Sequence, residues 1–125
     1  MDSGSYRLYL QLDKPLTIKI ASLGRHTFQS GIYIYTGSAM RNLAKRIERH
    51  KRRKKTKHWH IDYLTSHSAF KIIKIETFPS EVKEECTMNA KVLARTGSRI
   101  PVKKFGSSDC RCISHLVYFE TMPEI

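Results

Sequence analysis

Residues 5–12 alternate without a break. Tyr6, Leu8, Leu10 and Leu12 fall on one side of an extended chain, and Ser5, Arg7, Tyr9 and Gln11 on the other. A period of two over eight residues is that of a strand with one face on a core, and it predicts a half-buried β-strand. A second β-rich run lies at 31–37, with Ile32 and Ile34 opposite Tyr33 and Tyr35. Between them, Asp13-Lys14-Pro15 reads as a turn and Gly24 as a break, so 16–20 and 25–29 are expected to be two further strands. In 70–78, Phe70 and Ile72 oppose Ile73 and Ile75, which predicts a central strand covered on both sides. A last strand is expected at 113–120.

Three helices are expected. One runs from an N-cap at Ser38 to about His50, with Met40, Leu43 and Ile47 as its apolar stripe. A short one at 60–66 turns Ile61 and Leu64 inward. The third, at 81–95, presents Val82, Cys86, Asn89 and Leu93 to the core. With 125 residues and no linker or repeat, the expectation is one domain over 1–125. Its expected class is α/β in the broad sense, more narrowly α+β: a small, largely antiparallel sheet flanked by helices.

The net charge of +12 is concentrated. Residues 41–58 hold ten basic side chains against the single acid Glu48. Such a block predicts a polyanion as partner, because each phosphate contacted releases condensed counterions. Lys51-Arg52-Arg53-Lys54-Lys55 lacks the interleaved large apolar residues of a membrane-surface helix. No apolar run approaches the ~18–20 residues of a membrane span, and the N-terminus has no signal-like apolar region. Three cysteines are too few for a disulfide scaffold, so a reducing, cytoplasmic setting is expected.

Gly4-Ser5-Tyr6 opens the first strand, and Tyr35-Thr36-Gly37 closes the run at 31–37. Leu43-Ala44-Lys45-Arg46-Ile47-Glu48-Arg49-His50 follows. Further along come KHWHIDYL (57–64), Glu85-Cys86 and GSSDCRCISHLVYF (106–119). In this order the segments resemble the GIY-YIG nuclease superfamily. More narrowly they are similar to its archaeal and bacterial branch that is sometimes fused to an endonuclease III-type DNA glycosylase. The letters Gly31-Ile32-Tyr33 repeat the family's spelling, but they share a strand with Tyr35. The family sets its two tyrosines on neighbouring strands, so Tyr6 is taken as the first.

The resemblance implies a divalent-metal-dependent endonuclease that hydrolyses phosphodiester bonds in DNA, guided by structure more than by sequence. RNA is the other polyanion open to it. By resemblance, Tyr6 is the base or water-positioner, with Tyr35 beside it. A tyrosine near its ordinary pKa of ~10 is a poor base at neutral pH unless positive charge lowers that value. Arg46 is the helix arginine that grips phosphate, and His50 lies at i+4 on the same face. Of the two later histidines, His58 is the closer match and His60 its competitor. Trp59 either anchors the loop or stacks on a base. Arg41, Arg49, Arg52, Arg53 and Lys54 are expected on flanking phosphates. Packing in the core is the competing role for both tyrosines.

Glu81, Glu84 and Glu85 compete as the ligand for Mg²⁺ or Mn²⁺. Glu85 falls at the edge of the inward stripe, and the family also places a glutamate on a late helix. Asp109 stands where other family members have an asparagine. Cys86, Cys110, Cys112 and His115 form a rival set with a zinc-ligand character. The Cys-x-Cys spacing is atypical of structural zinc, so small apolar cysteines are the favoured reading. Two other functions stay open: a nucleic-acid-binding domain on this fold that has lost catalysis, and a zinc-stabilised interaction module.

Overall fold

The computed structural model describes residues 1–125. Its elements follow in the order β1 (Gly4–Leu12), β2 (Leu16–Lys19), β3 (Arg25–Phe28), β4 (Gly31–Ala39), α1 (Leu43–Lys51), α2 (Asp62–Thr65), β5 (Phe70–Pro79), α3 (Glu85–Leu93) and β6 (Leu116–Phe119). The class is α+β. Strands β5-β1-β4-β6 make one antiparallel sheet in that order, and β2 and β3 make a separate hairpin.

One face of the sheet carries Tyr6, Leu8, Leu10 and Leu12 from β1 with Tyr33 and Tyr35 from β4. Packed on them are Leu43 and Ile47 of α1, Ile61 and Leu64, and Ile20 and Phe28 from the hairpin. The opposite face carries Tyr9, Ile32, Ile34, Val117 and Phe119 under Val92 of α3. No helix is long and apolar enough to cross a membrane.

Two strands exchange the places expected of them. β1 lies in the middle of the sheet with both faces covered, not half-buried. Its second face reads as polar because Tyr9 and Arg7 are amphipathic. Arg7 spreads its guanidinium over the Phe78 ring at 5.0 Å and sits 3.7 Å from Glu76, while the Tyr9 hydroxyl donates to Glu76. β5 is an edge strand. The register slips between Tyr9, opposite Lys74, and Leu10, opposite Ile72. Ile73 is thus an extra, bulged residue, 42 % exposed. The bulge turns Ile75 back to the side of Phe70 and Ile72, where both isoleucines pack on the main core. The apolar residues that suggested two covered faces belong to one.

The helices are shorter than their apolar periodicity suggests. β4 extends through Ser38 to Ala39, so Ser38 is not an N-cap. α1 begins after Asn42, which is in the left-handed region at φ 53°. Its first amides are satisfied from far away: Leu43 N–H donates to the Asp2 carbonyl at 3.1 Å, and Ala44 N–H to the Asp2 carboxylate at 2.9 Å. The exposed Met40 lies outside the helix, and His50 takes its place on the buried stripe. At the other end Lys55 Nζ donates to the Arg49 and His50 carbonyls and to Thr65 Oγ1. α3 is confined to Glu85–Leu93 and buries Met88, Asn89 and Val92, whereas Val82 is exposed. β6 begins only at Leu116, and Ile113 stands exposed in the loop before it.

Candidate active site at the open edge of β4

β6 covers β4 only from Ile32 to Tyr35. Beyond it, the Thr36 amide donates to the His115 carbonyl, and no strand pairs with that edge of Gly37–Ala39. Groups from both faces of the sheet meet at this open stretch. A cavity of about 220 Å³ there is lined by Tyr6, Tyr35, Arg46 and Trp59 from one side. Lys83, Glu85, Asp109, Cys110 and His115 line it from the other.

Tyr6 lies directly opposite Gly37 in the β1–β4 register. A Cβ on Gly37 would come within 2.6 Å of the Tyr6 Cζ and hydroxyl. Only a glycine lets the Tyr6 ring cross β4 to α1. There its hydroxyl is 2.8 Å from His50 Nε2, and its ring centroid is 6.4 Å from that of Tyr35. Gly106 does the same for the neighbouring tyrosine. It sits at φ 68°, a Cβ there would meet Tyr35 Cε1 at 2.8 Å, and its N–H donates to His60 Nδ1 at 2.8 Å.

Burial raises the Tyr6 pKa to about 12, with the Arg46 charge pulling the other way. Tyr35 is also held well above its ordinary value by burial. His50 is pushed down to about 3 by burial and by the charge of Lys55. The Tyr6–His50 pair is therefore neutral, and its phenolic proton is held firmly.

Arg46 donates to the Ser38 carbonyl at 3.2 Å and lies over the Trp59 indole at 4.4 Å. The rest of its guanidinium lines the cavity. Trp59 is half-buried and also carries the Arg49 guanidinium at 4.5 Å. Glu85 is in the first turn of α3, its side chain 17 % exposed. It stands 3.3 Å from Lys83 Nζ and 3.7 Å from His115 Nδ1. Glu81 and Glu84 do not line the cavity.

The other expected site residues divide. His58 is exposed, packs on Trp59 at 4.9 Å and does not line the cavity; His60 does not line it either. Arg49 is engaged internally: it grips Asp62 with two hydrogen bonds of 2.8 and 2.9 Å and donates to the Thr56 carbonyl. Arg53 donates to the His67 and Phe70 carbonyls. Arg41, Arg52 and Lys54 are exposed, and their side chains make no hydrogen bond or ion pair. A wider groove of about 540 Å³ runs along β5 between Lys51, Arg53, Lys71 and Lys74. No carboxylate, thiol or imidazole lines it, so it offers cations without reactive groups.

Asp62 is the organiser that sequence reasoning passed over. It is fully buried, accepts the amides of His58 and Trp59 at 2.8 and 2.9 Å, and holds Arg49. These contacts keep its pKa low against the cost of burial. The signal was there: Asp62 is the first acid after Glu48 in the most basic part of the chain.

Cys86, Cys110, Cys112 and His115 also converge. Their donor atoms all lie within 4.8 Å of one another. Burial raises the Cys86 and Cys112 thiols, Cys112 to about 12.

The molecule is thus a small α+β protein with a tyrosine-lined cavity at a sheet edge, in which Arg46 and Lys83 face Glu85 and Asp109. The chain belongs to the family described as domain of unknown function DUF123, whose family model matches residues 5–125. No curated protein and no solved structure matches it.

Proposed function

We propose that the cavity is a phosphodiester-hydrolysing site of the GIY-YIG type, and that the protein is a structure-directed DNA endonuclease. The observation that carries this reading is the presence of Tyr6, Tyr35, Arg46 and Glu85 in the lining of one cavity. The four come from four separate elements, β1, β4, α1 and α3.

In this reading Arg46 binds the phosphate, since its guanidinium is fixed on one side by Ser38 and Trp59 and free on the other. Tyr6 and Tyr35 orient the attacking water. Neutral His50 holds the Tyr6 hydroxyl in place. Glu85, with Asp109 on the same wall, offers the hard oxygen donors that Mg²⁺ or Mn²⁺ takes, and the sparse donor set suits an ion that keeps several waters. Such an ion would supply charge stabilisation for the departing oxyanion and lower the pKa of the nearby water. Arg41, Arg52 and Lys54 bind the flanking backbone, and the groove along β5 extends that track. The three free cysteines suit a reducing compartment, and we place the protein in the cytoplasm.

One observation favours a second reading, binding without cleavage. Tyr6 is 1 % exposed and its pKa is raised, so the phenolate that could act as a base is disfavoured. Cleavage assays on branched, flapped, gapped and plain duplex DNA, and on RNA, separate the two. Wild type should cut a branched or interrupted DNA with Mg²⁺ or Mn²⁺ and not with chelator, and Arg46→Ala and Glu85→Gln should abolish cutting while folding normally. Binding with no cut under any metal establishes the second reading instead.

A further inference from the structure

We propose that Cys86, Cys110, Cys112 and His115 bind one zinc ion, and that this ion ties the first turn of α3 to the loop before β6. The distances suit it. His115 Nε2 is 3.4 Å from Cys110 Sγ and 3.7 Å from Cys86 Sγ. Zinc–sulfur and zinc–nitrogen bonds of ~2.3 and ~2.0 Å at tetrahedral angles separate sulfur from nitrogen by roughly 3.6 Å. Cys112 completes the set within 4.8 Å of the others.

The histidine is prepared as a ligand. His115 is 1 % exposed, and its Nδ1 lies 3.1 Å from the Thr36 carbonyl. A carbonyl only accepts, so the ring proton sits on Nδ1, and Nε2 turns its lone pair toward the sulfurs. Metal-bound imidazoles are held by this same outer contact, which fixes tautomer and ring orientation.

The apolar-cysteine alternative does not explain the cluster. None of the three thiols belongs to either buried core, and all three are only partly buried. They come from two segments, α3 and the loop at 106–115, which also meet where Asn89 Nδ2 donates to the Ser114 carbonyl at 2.7 Å. Three sulfurs and one imidazole select a soft or borderline ion, which a site of carboxylates and water does not. The metal is therefore a different one from the Mg²⁺ or Mn²⁺ assigned to Glu85. Because Glu85 adjoins Cys86 and Cys110 lines the cavity, the ion would fix one wall of the site without taking part in the chemistry.

The test is elemental analysis of the full chain purified under reducing conditions with zinc in the medium, together with reconstitution by Co²⁺. The expected results are about one zinc per chain and a cobalt spectrum with thiolate charge-transfer bands and the intense visible bands of a tetrahedral site. Chelation should expose three reactive thiols that zinc protects. Cys112→Ser should lower zinc affinity by at least about tenfold, and Glu85→Gln should leave zinc content unchanged. Stoichiometric iron, a disulfide among the cysteines, an octahedral cobalt spectrum, or reduced wild type that takes up no zinc would each overturn the proposal. The proposal stands apart from the hydrolase reading: loss of cleavage with zinc still bound would count only against that reading.

Discussion

The Tyr6 ring occupies the space that a side chain at residue 37 would fill, 2.6 Å from the Cβ position of Gly37. The two residues face each other in the β1–β4 ladder. The glycine of Tyr35-Thr36-Gly37 is thus half of the means by which Tyr6 reaches His50. Its requirement is steric, set by a neighbour's ring.

Gly37→Ala should displace the Tyr6 ring, break its hydrogen bond to His50 and destabilise the protein by about 1–3 kcal/mol, the usual cost of overpacking. In a Tyr6→Ala background the same change should cost much less, because the clashing ring is gone. Urea unfolding of the two single variants and the double variant measures this coupling.

His50 makes stability depend on pH in a defined direction. Its folded pKa of about 3 lies below the unfolded value of 6.5, so between those values the unfolded chain binds the extra proton. Stability is therefore complete above pH 6.5 and falls as pH drops toward 3, by on the order of 4 kcal/mol for a shift of this size. His60 is shifted in the same direction and adds to the fall. His50→Gln keeps a hydrogen-bonding group near Tyr6 and has nothing to titrate. Thermal melts from pH 7.5 to 4 should show a shallower slope for this variant.

Removing the buried Asp62 carboxylate should be costly. Asp62→Ala leaves Arg49 and two backbone amides without their partner, which places the loss at about 3–5 kcal/mol. The loop at 57–61 should loosen first. Hydrogen exchange at the His58 and Trp59 amides reports this directly, with both becoming unprotected.

The basic block should separate into two groups on nucleic acid. Ala at Arg52 or Lys54, both exposed and unpaired, should weaken DNA binding and lower the salt slope by about one each without changing stability. Ala at Arg49 or Arg53, which are hydrogen-bonded inside the protein, should lower the melting temperature. Binding titrations at several salt concentrations, paired with melts, separate these effects.

How far the sequence could be read follows from the range of the forces involved. Strand positions were legible because alternation is local, as in Tyr6–Leu12. The roles of β1 and β5 were not, because an amphipathic Arg7 and a bulged Ile73 imitate a solvent face and a buried one. The start of α1 is not legible locally, because the acceptors for its first amides come from Asp2, some forty residues upstream. In the cavity, Arg46 was legible through the resemblance, whereas Glu85 falls at the edge of a stripe that includes the exposed Val82; the stripe α3 buries is Met88, Asn89 and Val92. The Tyr6–His50 bond was not legible, since it depends on Gly37 lying opposite Tyr6. The four zinc-type donors were visible as residue types, but their convergence comes from the loop before β6 closing on α3. No spacing rule encodes that closure.

Cleavage and affinity measured on one preparation of Glu85→Gln decide whether the cavity hydrolyses DNA. With a labelled branched DNA and Mg²⁺ or Mn²⁺, affinity should stay within about twofold of wild type and single-turnover cleavage should fall by at least about 100-fold. Cleavage by Glu85→Gln at the wild-type rate would contradict the hydrolase reading, as would a wild type that binds the DNA and leaves it uncut.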